Sequence, residues 1–450
     1  MTVLAFHANV NNIVDKNNCF VDKNKLEIPT MSDHHNPPGT PSRDLNRRAF
    51  LQNTAAAAAA LAATTTPLAP RAVRAAEPAT PGKVRIGIVG GRFGAGFFWH
   101  QHPHCTVQAV SDLRPERRDR LMKVYGCSQS YESLEKLILD DSIDAVGIFT
   151  EAPNHVPHCL AALNAGKHVV CAVPAAMNLE ECQQLIDAVK RTGLTFMMAE
   201  TSYWQQSTIS ARKFFEAGEF GSLYNVLSTY RHPGLEDLFF ENGKPTWRHG
   251  FPPMHYPTHC TAHLVTVTGD RLTEVSCLGW GDDHPALRNN PYGNPFWNET
   301  AMFKTRDKRS FQMEVWWAGA HGGCERAEWY GDKTSFLCPT PYGTGPVLVR
   351  SGMQTELDSG GFVRAAPRIE RYQQPHWWET DLLPQPLRHN SGHEGSHTFI
   401  THEFVEAVRN RRRPAVDVYT AVACTAPGIV AHQSALKGGE LLKIPDFGQA

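Results

Sequence analysis

Three histidines, His255, His259 and His263, recur at every fourth position, a spacing that lines them along one face of a helix. Imidazole titrates near neutrality and suits the removal of a hydroxyl proton as a carbonyl forms. His259 is the candidate acid–base group, His255 its hydrogen-bond partner or a second proton carrier, and His263 a structural residue. The plainer reading is a helix whose histidines satisfy buried polar neighbours. His393-Glu394-Gly395-Ser396-His397 has the letter pattern of zinc peptidases, where two histidines one turn apart hold the metal and the glutamate activates water. Here Gly395 interrupts the pattern and no apolar helix surrounds it. The expectation is a histidine-rich loop or helix start, with no metal.

A second set of residues points to a phosphate. Gly90-Gly91-Arg92-Phe93-Gly94-Ala95-Gly96 follows a short apolar run at 84–89. Glycine permits close backbone approach there, and a helix opening at this point adds N–H donors and partial positive charge. The fit to G-x-G-x-x-G is imperfect. With Gly90 first, Arg92 fills the second position and Ala95 the third; with Gly91 and Gly94 as second and third, Val89 replaces the first. Asp112 lies 22 residues after Gly90, at the end of the next apolar run. A carboxylate there accepts ribose hydroxyls and repels a 2′-phosphate, so NAD is expected over NADP. Arg114, Arg117 and Arg118 keep NADP open, and a turn or helix cap before Pro115 is the structural alternative for Asp112.

These residues need a scaffold. Apolar runs at 84–89, 106–111, 143–149, 167–172 and 194–199 read as strands. Helical spacing marks 115–125, 131–139, 155–164 and the stretch carrying Leu179, Cys182, Leu185, Ile186 and Val189. Strands alternating with helices of this length predict a doubly wound parallel sheet. Further on, 203–217 and a segment around 255–267 read as helices. Strands at 222–231, 272–279, 300–305, 310–318 and 324–330 suit an antiparallel sheet. The predicted fold is α/β, with a dinucleotide-binding domain at 83–202 and a second α/β domain at 203–440 bearing an open, mainly antiparallel sheet.

Composition narrows the class. The 450 residues are 41% hydrophobic, enough for real cores, so a disordered chain is excluded. Lys+Arg is 44 against Asp+Glu 45, without the basic excess of a nucleic-acid binder. Arg409 to Arg413 reads as cations near a helix end. No apolar run reaches the length of about 18 residues that a spanning helix needs, so no membrane partner is expected. Residues 1–42 read as a disordered extension, with Met31 an alternative start. Residues 43–75 carry paired Arg47-Arg48, an alanine-rich segment to Ala63, and Val73-Arg74-Ala75 as a cleavage site. That order is similar to a twin-arginine secretion signal, implying a periplasmic protein exported already folded. The 11 cysteines include no CxxC pair and mostly sit in apolar periods, as buried thiols do.

Four further segments carry a family resemblance. Thr150-Glu151-Ala152-Pro153-Asn154-His155, with His158 beyond, resembles a T-P-N-x-x-H loop after the fourth strand. Ala165-Gly166-Lys167-His168-Val169 resembles the A-G-K-H-V strand that leads to a catalytic E-K-P. His259 stands where the family's active-site histidine stands, and 404–414 resembles its closing helix. The chain resembles the Gfo/Idh/MocA oxidoreductases, the glucose–fructose oxidoreductase and inositol dehydrogenase family. The resemblance implies a Rossmann domain, NAD or NADP, a carbohydrate substrate and a homo-oligomer, dimer or tetramer. It makes Thr150, Pro153, Asn154, His158 and Val173 cofactor contacts beside Gly90, Gly91, Arg92, Phe93, Gly94 and Asp112.

The departures matter. Ala172-Val173-Pro174 replaces Glu-Lys-Pro, so the family's lysine is absent, and His255 takes its aspartate position. Glu200, Tyr203 and Trp204 follow the last Rossmann strand, and Tyr203 is a further candidate proton donor. Trp247-Arg248-His249 suits a sugar surface. The expected activity is hydride transfer between a sugar carbon and nicotinamide, with His259 as acid–base. Two alternatives stand beside it: a glycosidase that oxidises its sugar only transiently, and a nucleotide- or sugar-binding protein without turnover.

Overall fold

The computed structural model describes residues 82–281, 284–357, 359–361 and 363–448. The expected extension at 1–42 and the secretion signal at 43–75 lie outside the described residues.

β1 (Val84–Val89), β2 (Cys105–Ser111), β3 (Ser130–Tyr131), β4 (Ala145–Ile148), β5 (His168–Cys171) and β6 (Phe196–Met198) form one sheet in the order β3-β2-β1-β4-β5-β6. Every pairing in it is parallel. This is the doubly wound dinucleotide-binding order. The strands are near-continuous apolar runs because helices cover both faces. α1 (Pro115–Tyr125) starts on proline and stops at left-handed Gly126. The expected helix at 131–139 divides: Tyr131 pairs with β2, and Ser133 accepts the Lys136 N–H to start α2 (Leu134–Leu137). α3 (His155–Asn164) and α4 (Leu179–Thr192) complete the layers, α4 capped by Asn178 and ended at Gly193.

One expectation fails locally. No α-helix follows the glycine turn after β1; two short 3₁₀ turns, Phe93–Gly96 and Trp99–Gln101, stand there. Phe97 and Trp99 are both buried in one core cluster. Residues two apart point to different sides of an α-helix, so burying both demands a tighter path. Partial positive charge from a long helix is therefore missing at this turn.

After β6 come a 3₁₀ turn at Ser202–Trp204, α5 (Gln206–Glu216), β7 (Leu223–Arg231) and a small hairpin of β8 (Phe240–Glu241) and β9 (Lys244–Pro245). The histidine helix also starts later than its period predicts. A 3₁₀ turn at Pro253–His255 precedes α6 (Thr258–Thr268), with Pro257 as the residue before it. Proline lacks an N–H and crowds the preceding turn, so a helix opens beside it rather than running through it.

The remaining strands are β10 (Leu272–Trp280), β11 (Asn298–Thr305), β12 (Ser310–Trp316), β13 (Cys324–Gly331), β14 (Thr334–Leu337), β15 (Val347–Leu357), β16 (Val363–Arg371) and β17 (Leu442–Lys443). With β7 they make a sheet in the order β16-β15-β14-β13-β7-β12-β11-β10-β17. Only β7 and β12 pair in parallel; the other described pairs are antiparallel.

The last helices, α7 (Gly392–Arg409) and α8 (Val418–Leu436), tie the sheets together. Ile400, Phe404 and Val405 of α7 pack with Ile86 and Val110 of the parallel sheet. Val418, Ala421 and Val422 of α8 join Val169 and Cys171, while its Val430 and Ala431 join the core of the second sheet. One helix thus contributes to two cores. The ten described cysteines are free thiols, most of them buried. Among the described residues no helix is long and apolar enough to cross a membrane.

Candidate functional site

The carboxyl ends of β1, β2, β4, β5 and β6 bring the cofactor candidates to one edge. Gly90 has φ +102°, and a Cβ on it would meet the Phe149 carbonyl oxygen at 2.2 Å. Only glycine lets the chain leave β1 so close to the end of β4. The Gly91 N–H donates to Oδ2 of Asp112 at 2.7 Å, and Oδ1 of Asp112 accepts the Arg114 N–H at 2.9 Å. Asp112 therefore shapes the glycine turn itself, half-buried, with carboxylate lone pairs left over for a ribose. Arg92 is exposed at the tip, and Phe93 sets its ring edge against Phe97 and Phe149. Gly94 is buried, and its carbonyl accepts the Tyr125 hydroxyl.

The loop after β4 is fastened to the turn after β5. His155 is buried and hydrogen-bonds the Pro174 carbonyl through Nδ1 at 2.8 Å. Thr150 Oγ1 meets His158 Nδ1 at 2.9 Å, Pro153 is half-buried and Asn154 is exposed. Val173 is buried beside them. The residues present fit a dinucleotide: a sheet crossover between β1 and β4, a glycine turn, and a carboxylate at the end of β2. Exposed Arg92 offers the positive charge that the missing helix does not.

His259 lies at the start of α6, buried, with Nδ1 3.0 Å from Glu200 Oε1 and 3.3 Å from Glu325 Oε1. Ser202 Oγ is 3.3 Å from the same nitrogen and donates to Glu325. Carboxylates only accept, so Nδ1 carries a proton. Burial opposes a charged ring, yet Glu200 and Glu325 outweigh it and hold the His259 pKa well above its usual value. Burial likewise opposes ionisation of Glu325, but His259 carries its pKa down to about 2. His259 is thus an imidazolium clamped by two carboxylates, with Nε2–H left as its donor. Tyr230 and Tyr256 flank it, ring centroids 4.7 and 5.1 Å away.

The other predicted members lie elsewhere. His255, off the helix, packs against His432, which pairs with Glu299 at 2.8 Å; burial and His432 lower the His255 pKa to about 3. No described hydrogen bond joins His255 to His259. His263 bonds Thr208 at 3.0 Å and sits against Trp329 in the core. Tyr203 stacks under the Arg212 guanidinium at 3.8 Å. Arg248 covers the Trp247 ring at 4.1 Å, and His249 is buried on the Ala286 carbonyl.

Glu325 and Tyr230 escaped sequence reasoning. They face each other across β13 and β7. Glu325 shares strand parity with Ala327 and Trp329, which point into the core. An acid at an inward position of an alternating strand was the available signal.

Two described trios have ligand atoms within 4.8 Å of one another: Glu200, His259, Glu325, and His102, His402, Glu406. In the first, the donor chemistry is already used by a proton on Nδ1. In the second, His102 Nδ1 accepts the His104 N–H at 3.1 Å, which puts the His102 proton on Nε2, facing His402 Nδ1 at 3.0 Å. The second trio is satisfied as a hydrogen-bonded cluster, whereas in the first Glu200 Oε2 is buried without a described partner.

The parallel sheet in this order, joined to a mainly antiparallel sheet, is the two-part α/β architecture of the Gfo/Idh/MocA dehydrogenases. Residues 84–200 match the Gfo/Idh/MocA oxidoreductase family, NAD-binding Rossmann fold, and residues 355–450 match the C-terminal domain of glycosyl hydrolase 109. A glycosyl hydrolase family 109 protein of Streptomyces coelicolor is 29% identical over 409 residues, covering 81% of this chain and 83% of that protein. One from Stenotrophomonas maltophilia is 24% identical over 459 residues, covering 90% and 95%. Levoglucosan dehydrogenase, solved with NADH and L-sorbose, aligns with a TM-score of 0.65 at 20% identity over 81% of this chain and 100% of that one. Scyllo-inositol dehydrogenase from Lactobacillus casei, solved with NAD(H) and scyllo-inositol, gives 0.58 at 19% over 80% and 99%.

Proposed function

We propose that the protein is an NAD-dependent glycosidase that oxidises a sugar carbon transiently and ends with no net redox change. One observation carries the reading: a single chain joins a segment matching an NAD-binding oxidoreductase fold to a segment matching glycosyl hydrolase 109. Bound nicotinamide supplies a reversible two-electron acceptor for a carbinol carbon. A carbonyl near the anomeric carbon acidifies the C–H between them, so the aglycone leaves by elimination and water adds in its place. His259 holds a proton at Nε2 for a substrate oxygen, and Glu200 and Glu325 keep it charged. Tyr230 and Tyr256 offer hydroxyl donors and flat surfaces to a sugar. Ala172 and Val173 stand where the family resemblance places an acid and a lysine, so charge for the reacting oxygen comes from His259 instead.

Export by the twin-arginine route to the periplasm belongs to the same proposal, on the strength of residues 43–75. So does self-association through the outward face of the second sheet, where Leu278, Trp280 and Met302 are exposed. The deciding experiment offers purified protein a panel of aryl glycosides in deuterated water. Expected are aglycone release, no accumulation of reduced cofactor, and deuterium beside the anomeric carbon. Accumulating NADH equal to product would make the protein a net dehydrogenase. Tight NAD binding without any turnover would leave a binding protein.

A further inference from the structure

The histidine pair His393 and His397 is not used by the reading above, yet it packs against the glycine turn. The Phe93 ring meets both, at 5.7 and 5.5 Å. The charges of Glu325, His259 and Glu200 act on the His393 ring through space. The backbone that presents it is strained: His393, Glu394 and Gly395 have φ of 50°, 57° and 89°. Left-handed conformation is costly for a residue with a Cβ and persists where the surroundings enforce it. Here Gly395 is enforced by Trp378, whose ring would lie 2.4 Å from an added Cβ.

Hydrogen bonding settles which nitrogen of His393 is free. The Gly96 carbonyl lies 2.7 Å from His397 Nδ1 and only accepts, so that nitrogen bears hydrogen. Burial, with His393 adding to it, brings the His397 pKa to about 3, so the ring is neutral and its Nε2 is a lone pair. His393 Nδ1, 2.9 Å from that Nε2, must then be the donor. Protein packed around the ring lowers the His393 pKa even though the residue keeps its solvent contact, so this ring is also neutral. Its own Nε2 is left as a lone pair with no described partner, on a residue that is exposed.

We propose that His393 is the base of this site: its Nε2 takes the proton of the substrate hydroxyl that becomes a carbonyl, while His259 donates to a substrate oxygen. The inference rests on the glycosidase reading and deepens it. In the balanced step the carbinol hydrogen leaves with its two electrons to oxidised nicotinamide, the O–H proton moves to His393 Nε2, and the carbonyl forms. Reversal returns both. Two histidines at one site with environments that push their affinities for a proton apart are the arrangement expected of an acid and a base. The letter pattern of a zinc site becomes instead a proton relay anchored on the Gly96 carbonyl.

The test uses the full chain. His393→Asn suits left-handed backbone and should fold, bind NAD as the parent does, and turn over ~10²–10⁴-fold more slowly. His393→Gly should regain activity on addition of imidazole. Ring ¹⁵N shifts of the parent should show His393 protonated on Nδ1 and bare on Nε2, a readout independent of turnover. Full activity in His393→Asn, or a proton found on Nε2, overturns the base and leaves the glycosidase reading intact. A parent that turns over neither glycosides nor carbinols overturns both.

Discussion

Glu200 Oε1 sits 3.0 Å from His259 Nδ1, although one residue follows the last strand of the parallel sheet and the other opens a helix over the second sheet. The pair joins the two halves of the protein at the point where chemistry is expected. Glu325, 3.3 Å from the same nitrogen, brings in the second sheet itself. Buried Glu200 and half-buried Glu325 about one imidazolium leave a net negative charge, which favours keeping that proton in place.

Replacing His259 by alanine should lower turnover by roughly two to four orders of magnitude with NAD affinity nearly unchanged. His255→Ala should cost far less, because that ring faces His432 and not the cluster. Steady-state kinetics with a parallel NAD titration checks both. Full activity in His259→Ala would remove the proposed donor.

Glu325→Gln takes away one of the carboxylates that hold the His259 proton. The basic limb of the kcat/KM profile, where His259 loses that proton, should move to lower pH by about 1–3 units. Stability gives a second reading. Glu325 has a folded pKa of about 2 against an ordinary 4.5, so its contribution is full above 4.5 and is lost as pH falls toward 2. Chemical denaturation across that window should show a steeper loss in the parent than in Glu325→Gln.

Asp112→Ala removes the acceptor for the Gly91 and Arg114 N–H groups as well as the ribose acceptor. NAD affinity should fall about 10–100-fold. Relative use of NADP should improve, and more so with Glu241→Gln, because Glu241 now holds the Arg114 guanidinium at 2.6 Å. Calorimetry with both cofactors decides; unchanged affinities would make Asp112 a cap alone.

Arg47→Lys together with Arg48→Lys should hold the precursor in the cytoplasm. Fractionation and the size of the accumulated chain give the answer, and normal maturation would remove the twin-arginine proposal.

The sequence by itself determined the alternation of strand and helix, and hence the parallel sheet, because continuous apolar runs and helical periods are local signals. It also determined His259, Asp112 and the glycine turn as candidates, since their types and spacing carry their chemistry. Tertiary structure decided the rest. Pro257 moved His255 off the histidine helix, and burial of both Phe97 and Trp99 replaced the first helix by 3₁₀ turns. Glu325 came to His259 through sheet pairing 66 positions away in the chain, a distance no periodicity spans. His393 gained its direction from a left-handed backbone wedged by Trp378 and from a carbonyl at Gly96. Protonation states follow neighbours in space, so the acid and the base of the site became distinguishable only once the chain was folded.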